Sequence, residues 1–422
     1  MANGQTEEFN RPGFWALIGM QFQGAFNDNC YRMLIVLFLP LALVSDDFPS
    51  TEIAFALFNG AYLIFPGLMG ALSDRYSKQT ISIMTKYFEL VIMVMALLGF
   101  WLQSAWFLLF VLFLMGLQSA FFSPSKYGIL PEILPEGRLP WGNGYMQMGT
   151  FVAIILGQAL GGTLLDWFRD EIALAGLVLI GFTVAGLVCS YFITRPAAAE
   201  PDRKIPWNPW DRLPYYLGLF YADRWLFASL IGVTYFWFAG AFVMQNIVEY
   251  GLAMFGDTLT LPLYFFDWEM GTGTQTGLLT ATLSLGIAIG SVLSGYGSRN
   301  RIDLRLVPYG AFGLSLISIL LAIPAYHYVI TLSLMFLLGG TAGFFVVPLA
   351  AMLQHRCPES VRGGMIAAHN FVTFAGMTAA AGLFFLLYSV MGLEPATLFL
   401  LPGIMTLAVG LVYWYIVPYA PR

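Results

Sequence analysis

The chain has 422 residues, of which 59% are hydrophobic and 10% charged, with a mean hydropathy of +0.75. A soluble domain carries about 25% charged residues, so this composition leaves too little polar surface for a water-soluble particle and excludes that class. The net charge of −5 says little about partners, because in a membrane protein the placement of charge matters more than its sum; no nucleic-acid partner is expected. The three cysteines (Cys30, Cys189, Cys357) and three histidines (His327, His355, His369) are scattered singly, which excludes a metal spacing and a disulfide framework.

The polar N-terminus, Met1 to Pro12, lacks a basic segment followed by a small-residue cleavage site, so the first apolar stretch reads as a retained helix. A bilayer core needs about 20 apolar residues per helix. That ruler predicts twelve spans: 14–43, 52–72, 80–102, 105–126, 142–166, 171–193, 226–250, 273–296, 304–323, 328–353, 361–390 and 395–417. An even count puts both termini on one side. Sixteen of the 19 Lys and Arg, from Arg11 to Arg422, then fall in alternate connections on that side. Arg169 alone falls opposite, Arg32 and Lys86 lie within spans, and the opposite loops hold Asp46, Asp47, Asp170, Glu171, Asp257, Asp267 and Glu269. By the positive-inside rule both termini are cytoplasmic.

The first span contains Gly24-Ala-Phe-Asn27-Asp28-Asn29-Cys-Tyr-Arg32. Asp28 and Arg32, four apart, share a helix face with Gln21, and Asn27 and Asn29 flank it. Ionisable groups at membrane depth cost roughly 2.5–3.5 kcal/mol each on insertion scales. The face therefore reads either as a self-neutralising structural pair or as a cavity-lining site for a coupling cation or a charged headgroup; the second is favoured. After the second span, Gly70-Ala-Leu-Ser-Asp74-Arg75-Tyr-Ser-Lys78 combines a glycine for close helix contact with an acid and two cations. This loop reads as a charged gate, its acid able to cap a neighbouring helix N-terminus. Gly290 to Gly295, followed by Arg299 and Arg301, is a degenerate second copy with Gly295 in place of the acid.

Lys86 and Glu89 in the third span read as a structural pair, with Lys86 close enough to the span end to snorkel. At the fourth span's end, Pro124 is expected to disrupt the last turn, leaving Lys126 to anchor the end or reach a phosphate. Gln147 stands out in the fifth span; Gln245, Asn246 and Glu249 form a polar patch in the seventh; His369 and Asn370, with Thr373, mark the eleventh. The Pro-rich connection 195–225 reads as a linker between two six-helix halves, 1–194 and 226–422, with Trp207, Trp210, Tyr215 and Tyr216 at headgroup level. The gate motif identifies the plan: an all-α integral membrane protein resembling the twelve-helix major facilitator fold, two halves around a central cavity.

Several segments together resemble the bacterial lysophospholipid transporter family, a branch of the major facilitators. They are Gly24 to Asn29, Ser123-Pro-Ser-Lys126-Tyr-Gly-Ile-Leu130, Asn143-Gly144, Phe236-Trp-Phe-Ala-Gly240, and Gly343 to Leu349 with Leu353-Gln354. The resemblance implies a secondary transporter that moves lysophospholipid, such as lysophosphatidylethanolamine, to the inner leaflet of the bacterial cytoplasmic membrane for re-acylation. It implies alternating access, membrane lipid as surroundings and a monomer. Asp28 and Lys126 match the family's residues. An acid of some members falls at Gln147 and a cation near Met244, beside Gln245. No cofactor is expected, and Na⁺ or H⁺ both stay open as coupling cation. The chain end at Arg422 predicts that the acyltransferase and acyl-carrier-protein synthetase fused in some relatives are separate here. The alternative reading is a major facilitator exporter of drugs or other amphipaths. An enzyme is not expected. Membrane acyltransferases need a His-x4-Asp pair, and the residues five positions after the three histidines are Leu332, Ser360 and Phe374; the lack of a Gly-x4-Gly-Lys-[Ser/Thr] loop argues against direct ATP drive.

Overall fold

The computed structural model describes residues 10–43, 50–256, 258–262, 267–323 and 327–419. Asp46, Asp47, Asp257 and Arg422, used in the charge argument above, lie outside them. Helices stand at all twelve expected positions. In chain order they are α1 (Arg11–Leu43), α2 (Ser50–Ile64), α3 (Pro66–Arg75), α4 (Lys78–Trp101), α5 (Ala105–Gly128), the single turn α6 (Leu130–Ile133), α7 (Leu139–Trp167) and α8 (Ala173–Tyr191). They continue with α9 (Leu213–Ala222), α10 (Arg224–Phe255), α11 (Thr272–Gly297), α12 (Leu306–Leu321), α13 (Tyr328–Arg356), α14 (Arg362–Phe385), α15 (Pro395–Leu398) and α16 (Leu400–Ile416). Among the described residues nine helical segments are long and apolar enough to cross a membrane, ten if a bent pair counts as one.

That bent pair is α2–α3, expected as one straight span. It turns by 60°. Pro66 supplies no N–H and its ring excludes a helical partner one turn back, while Phe65 leaves helical geometry at φ −124°. A second difference is an antiparallel hairpin, β1 (Thr258–Pro262) with β2 (Asp267–Gly271), in the connection before α11. A third is α9, a ten-residue helix inside the predicted linker.

The chain forms two compact units. The first comprises residues 1–139, 152–226 and 354–374; the second comprises 140–151, 227–353 and 375–422. The first therefore includes the start of α14, and the second includes the start of α7. In the first unit α4 packs on α5 and α8, and α1 on α5 and α8, around a core of Tyr31, Leu34, Met93, Leu108, Leu112 and Leu179. In the second, α12 packs on α16, and Phe242, Ala380, Phe384 and Leu398 form an apolar cluster.

Candidate substrate site and helix-end latch

In the first unit, two helices face each other through polar side chains at matching seven-residue spacing. Gln21 and Asp28 lie two turns apart on α1, as do Ser119 and Lys126 on α5, and such residues share a face. Ser119 Oγ donates to Asp28 Oδ2 at 2.5 Å, and Lys126 Nζ donates to Gln21 Oε1 at 3.1 Å. Between these rungs Ser123 accepts from Asn370 Nδ2 of α14 at 2.9 Å. His369 sits beside Asn370, and its Nε2 is 3.4 Å from Thr373 Oγ1. One turn beyond Asp28, Arg32 donates to Asn29 Oδ1 at 2.5 Å and lies 5.8 Å from the Phe58 ring centroid. The result is a polar stripe about 16 Å long on α1, at 1.5 Å per residue from Gln21 to Arg32.

The stripe differs from the expected arrangement in two respects. Asp28 and Arg32 share a face, yet each is bonded to a different neighbour: the acid to Ser119 and the cation to Asn29. Pro124 does not end α5, which continues to Gly128 and carries Lys126 within its last turn. A proline in a membrane helix is tolerated where neighbouring groups satisfy the freed carbonyl. Lys126 also lies 4.6 Å from the Tyr127 ring centroid. Among the described residues Asp28 Oδ1 is buried without a hydrogen-bond partner. Alongside the stripe runs an apolar cluster of Tyr62, Met69, Ala120 and Ala367 with Phe58, Phe65, Phe121 and Phe374, in which Tyr62 and Phe374 stack at 3.7 Å.

The predicted polar residues of α7 and α10 belong to the second unit. Gln147 is buried, and one turn on, Phe151 stacks on Trp237 at 6.1 Å. The predicted patch on α10 does not act as one group. Gln245 donates back to Ala241 O at 3.3 Å, Asn246 donates to Pro395 O at 2.9 Å, and Glu249 accepts from Tyr388 Oη at 2.7 Å.

The gate motif forms a latch within the first unit. Gly70 lies so close to α14 that a Cβ there would stand 2.5 Å from Gly364 Cα. The fully buried Asp74 accepts the backbone N–H of Gly363 at 2.6 Å and of Gly364 at 3.0 Å. These are N–H groups of the first turn of α14, which have no partner inside their own helix. Asp74 also pairs with Arg203 at 2.5 Å. Arg203 bonds the Tyr216 hydroxyl, and its carbonyl accepts Arg75 at 3.1 Å. Lys78 pairs with Glu132 at 2.5 Å, and Glu132 meets Arg362 at 3.3 Å. Tyr216 is thus a buried latch residue rather than a headgroup-level aromatic, whereas Trp207 and Tyr215 are exposed. Lys86 does not snorkel: it is 1% exposed and pairs with Glu89 at 2.6 Å.

Ser119, Ser123 and Glu132 do not stand out in the sequence by residue type, although Ser119, Ser123 and Lys126 carry a readable i, i+4, i+7 spacing. Arg203 and Tyr216 carried no such signal, because a linker has no period.

A family model described as Major Facilitator Superfamily matches residues 22–381. The chain belongs to the Major Facilitator Superfamily. It is 30% identical over 385 residues to the "Lysophospholipid transporter LplT" of Citrobacter koseri, covering 88% of this chain and 87% of that one. It is also 30% identical over 409 residues to the protein of that name in Klebsiella pneumoniae subsp. pneumoniae, covering 91% and 90%. This identity and coverage make it a member of the LplT-like branch, a transporter rather than an enzyme. Among solved structures it resembles the transporter FucP in the outward conformation, with a TM-score of 0.74, 13% identity and 97% and 99% coverage. It also resembles the proton:xylose symporter XylE, with a TM-score of 0.67, 15% identity and 97% coverage of each chain. These two likenesses concern the fold.

Proposed function

We propose that this major facilitator carries lysophospholipids, such as lysophosphatidylethanolamine, to the inner leaflet of a bacterial cytoplasmic membrane. There an acyltransferase restores the second acyl chain. The supporting observation is the polar stripe: an acid whose second oxygen is buried and, among the described residues, unpartnered, with Arg32 on one side along α1 and Lys126 across on α5. A zwitterionic headgroup has the complementary pattern. Its ammonium suits Asp28, and its phosphate suits a flanking cation. The aromatic cluster beside the stripe suits an acyl chain. The names of the LplT relatives point to the same cargo class. In this reading the halves alternate access around the headgroup, and Na⁺ or H⁺ drives the cycle.

The test is uptake of labelled lysophosphatidylethanolamine into proteoliposomes under imposed Na⁺ and H⁺ gradients. Uptake above empty vesicles is expected, and its absence overturns the reading. Competition by an unrelated amphipathic drug at equal concentration would favour a broad exporter instead.

A further inference from the structure

We propose that the buried Lys86–Glu89 pair of α4 is the positioning element that aims Asp28. The proposal builds on the reading of Asp28 as the headgroup acid. Both side chains are 1% exposed, and Lys86 lies eight residues into α4, about 12 Å from its start. A buried ion pair is weak evidence for stability, because apolar side chains of similar volume often do as well. At membrane depth such a pair asks for a role.

Its surroundings indicate which role. Glu89 Oε1 accepts Gln23 Nε2 at 2.9 Å and Asn27 Nδ2 at 3.2 Å from α1, and Thr183 Oγ1 at 3.4 Å from α8. Its Oε2 accepts Lys86 Nζ at 2.6 Å and Gln118 Nε2 of α5 at 3.4 Å. Lys86 donates in addition to Gln23 Oε1 at 2.5 Å. One carboxylate therefore holds all four helices. Two glycines make room for it: a Cβ at Gly24 would stand 3.0 Å from the Lys86 ammonium, and one at Gly186 would overlap the Gln23 amide oxygen.

The link to Asp28 lies in adjacent residues. Asn27 and Asp28 are neighbours on α1, and Gln118 and Ser119 are neighbours on α5. Consecutive residues point about 100° apart around a helix. The first of each pair bonds Glu89, and the second residues bond each other, Ser119 to Asp28 at 2.5 Å. Glu89 thus fixes the rotation of both helices about their axes, and that rotation brings Ser119 to Asp28.

The test uses purified full-length protein carrying Lys86→Gln with Glu89→Gln, Gln118→Leu alone, or Ser119→Ala, each confirmed as folded by thermal melt and size exclusion. Gln118→Leu cuts the α5 tie while leaving both charges in place, so it serves if the double variant does not fold. The first readout does not depend on cargo: the yield of a hydrophobic carbodiimide adduct at Asp28, resolved by mass spectrometry. All three variants are expected to raise it several-fold, because each frees Asp28 from Ser119. The second readout is the KM–Vmax split for lysophosphatidylethanolamine uptake. KM should rise about tenfold, the affinity equivalent of one charge-assisted hydrogen bond, with little change in Vmax. Combining Ser119→Ala with Gln118→Leu should raise KM no further. Adduct yields equal to wild type in Gln118→Leu and the double variant overturn the proposal, as do KM effects that multiply. Raised adduct yields in a protein that carries no lysophospholipid keep the positioning role and remove the cargo instead.

Discussion

Replacing Asp74 with alanine removes three interactions from one buried point: the Arg203 pair at 2.5 Å and the two N–H bonds from α14 at 2.6 and 3.0 Å. Losing one partner of a buried pair costs about 3–5 kcal/mol, because the other charge stays buried. Arg203 is such a charge at 6% exposure, with the half-buried Glu200 3.5 Å away as its other acid. Loss of the capping acceptor alone costs about 0.5–2 kcal/mol. These contributions share one carboxylate and do not add, so about 3–5 kcal/mol is expected for Asp74→Ala and less for Asp74→Asn, which keeps an acceptor. Cys357 reports the opening. It lies between α13 and α14, is 2% exposed, and burial pushes its thiol up to about 12. In the closed latch it is therefore neutral and inert near pH 7; on opening its pKa falls towards the ordinary thiol range and it reacts with maleimide. A 3–5 kcal/mol shift in opening raises the labelling rate by about 10²- to 4 × 10³-fold where reclosing is fast. The measurement needs a background with Cys30 and Cys189 replaced by alanine. Equal labelling rates in wild type and Asp74→Ala would refute the latch argument, as would additivity with Arg203→Ala.

Three further substitutions test the assignment of roles. Glu132→Gln strands Lys78 and Arg362, whose side chains are 0% and 4% exposed, and should destabilise by about 3–5 kcal/mol. Glu136→Gln, facing a half-exposed His355, should cost about 0–1 kcal/mol; thermal melts of the two compare them. Gly70→Val should lower the melting temperature more than a typical surface change. Its Cβ would sit against backbone at 2.5 Å, and overpacking costs about 1–3 kcal/mol. Asp28→Asn and Arg32→Ala should each reduce lysophosphatidylethanolamine uptake more than they reduce yield or thermal stability; wild-type flux in both returns the stripe to a structural role.

What could be read in the sequence was what has a period. Apolar runs placed the helices, and the i, i+4 spacing placed Asp28 and Arg32 on one face. That spacing says only that two side chains can meet. Here a serine on α5 and an asparagine on the same helix offered shorter contacts, and each charge took one. Lys86 illustrates the same limit. Distance along the chain put it within reach of a helix end, whereas Glu89, Gln23 and the space left by Gly24 turn its ammonium into the helix bundle. The partners of Asp74 lie at sequence separations of 129 to 290 residues. Only the fold brings them together.

The two copies of the gate motif show why one keeps an acid and the other does not. In the first unit the end of α3 meets the start of α14 with Gly70 against Gly364, and four residues on from Gly70 there is room for the Asp74 carboxylate to face the first-turn N–H groups. In the second unit the end of α11 meets the start of α7. A Cβ at Gly144 would stand 2.6 Å from Ser291 O, and one at Gly295 would stand 2.9 Å from Pro140 O and 3.0 Å from Trp141 Cα. An aspartate at 295 would thus press its β-carbon into backbone. Its neighbour there is moreover Pro140, which lies at the start of α7 and has no N–H to offer. At Asp74 a carboxylate meets two free donors; at Gly295 one of the two facing first-turn residues, Pro140, has no N–H. The second copy therefore joins its helices by close backbone packing, and the helix-capping acid of the motif is confined to the first.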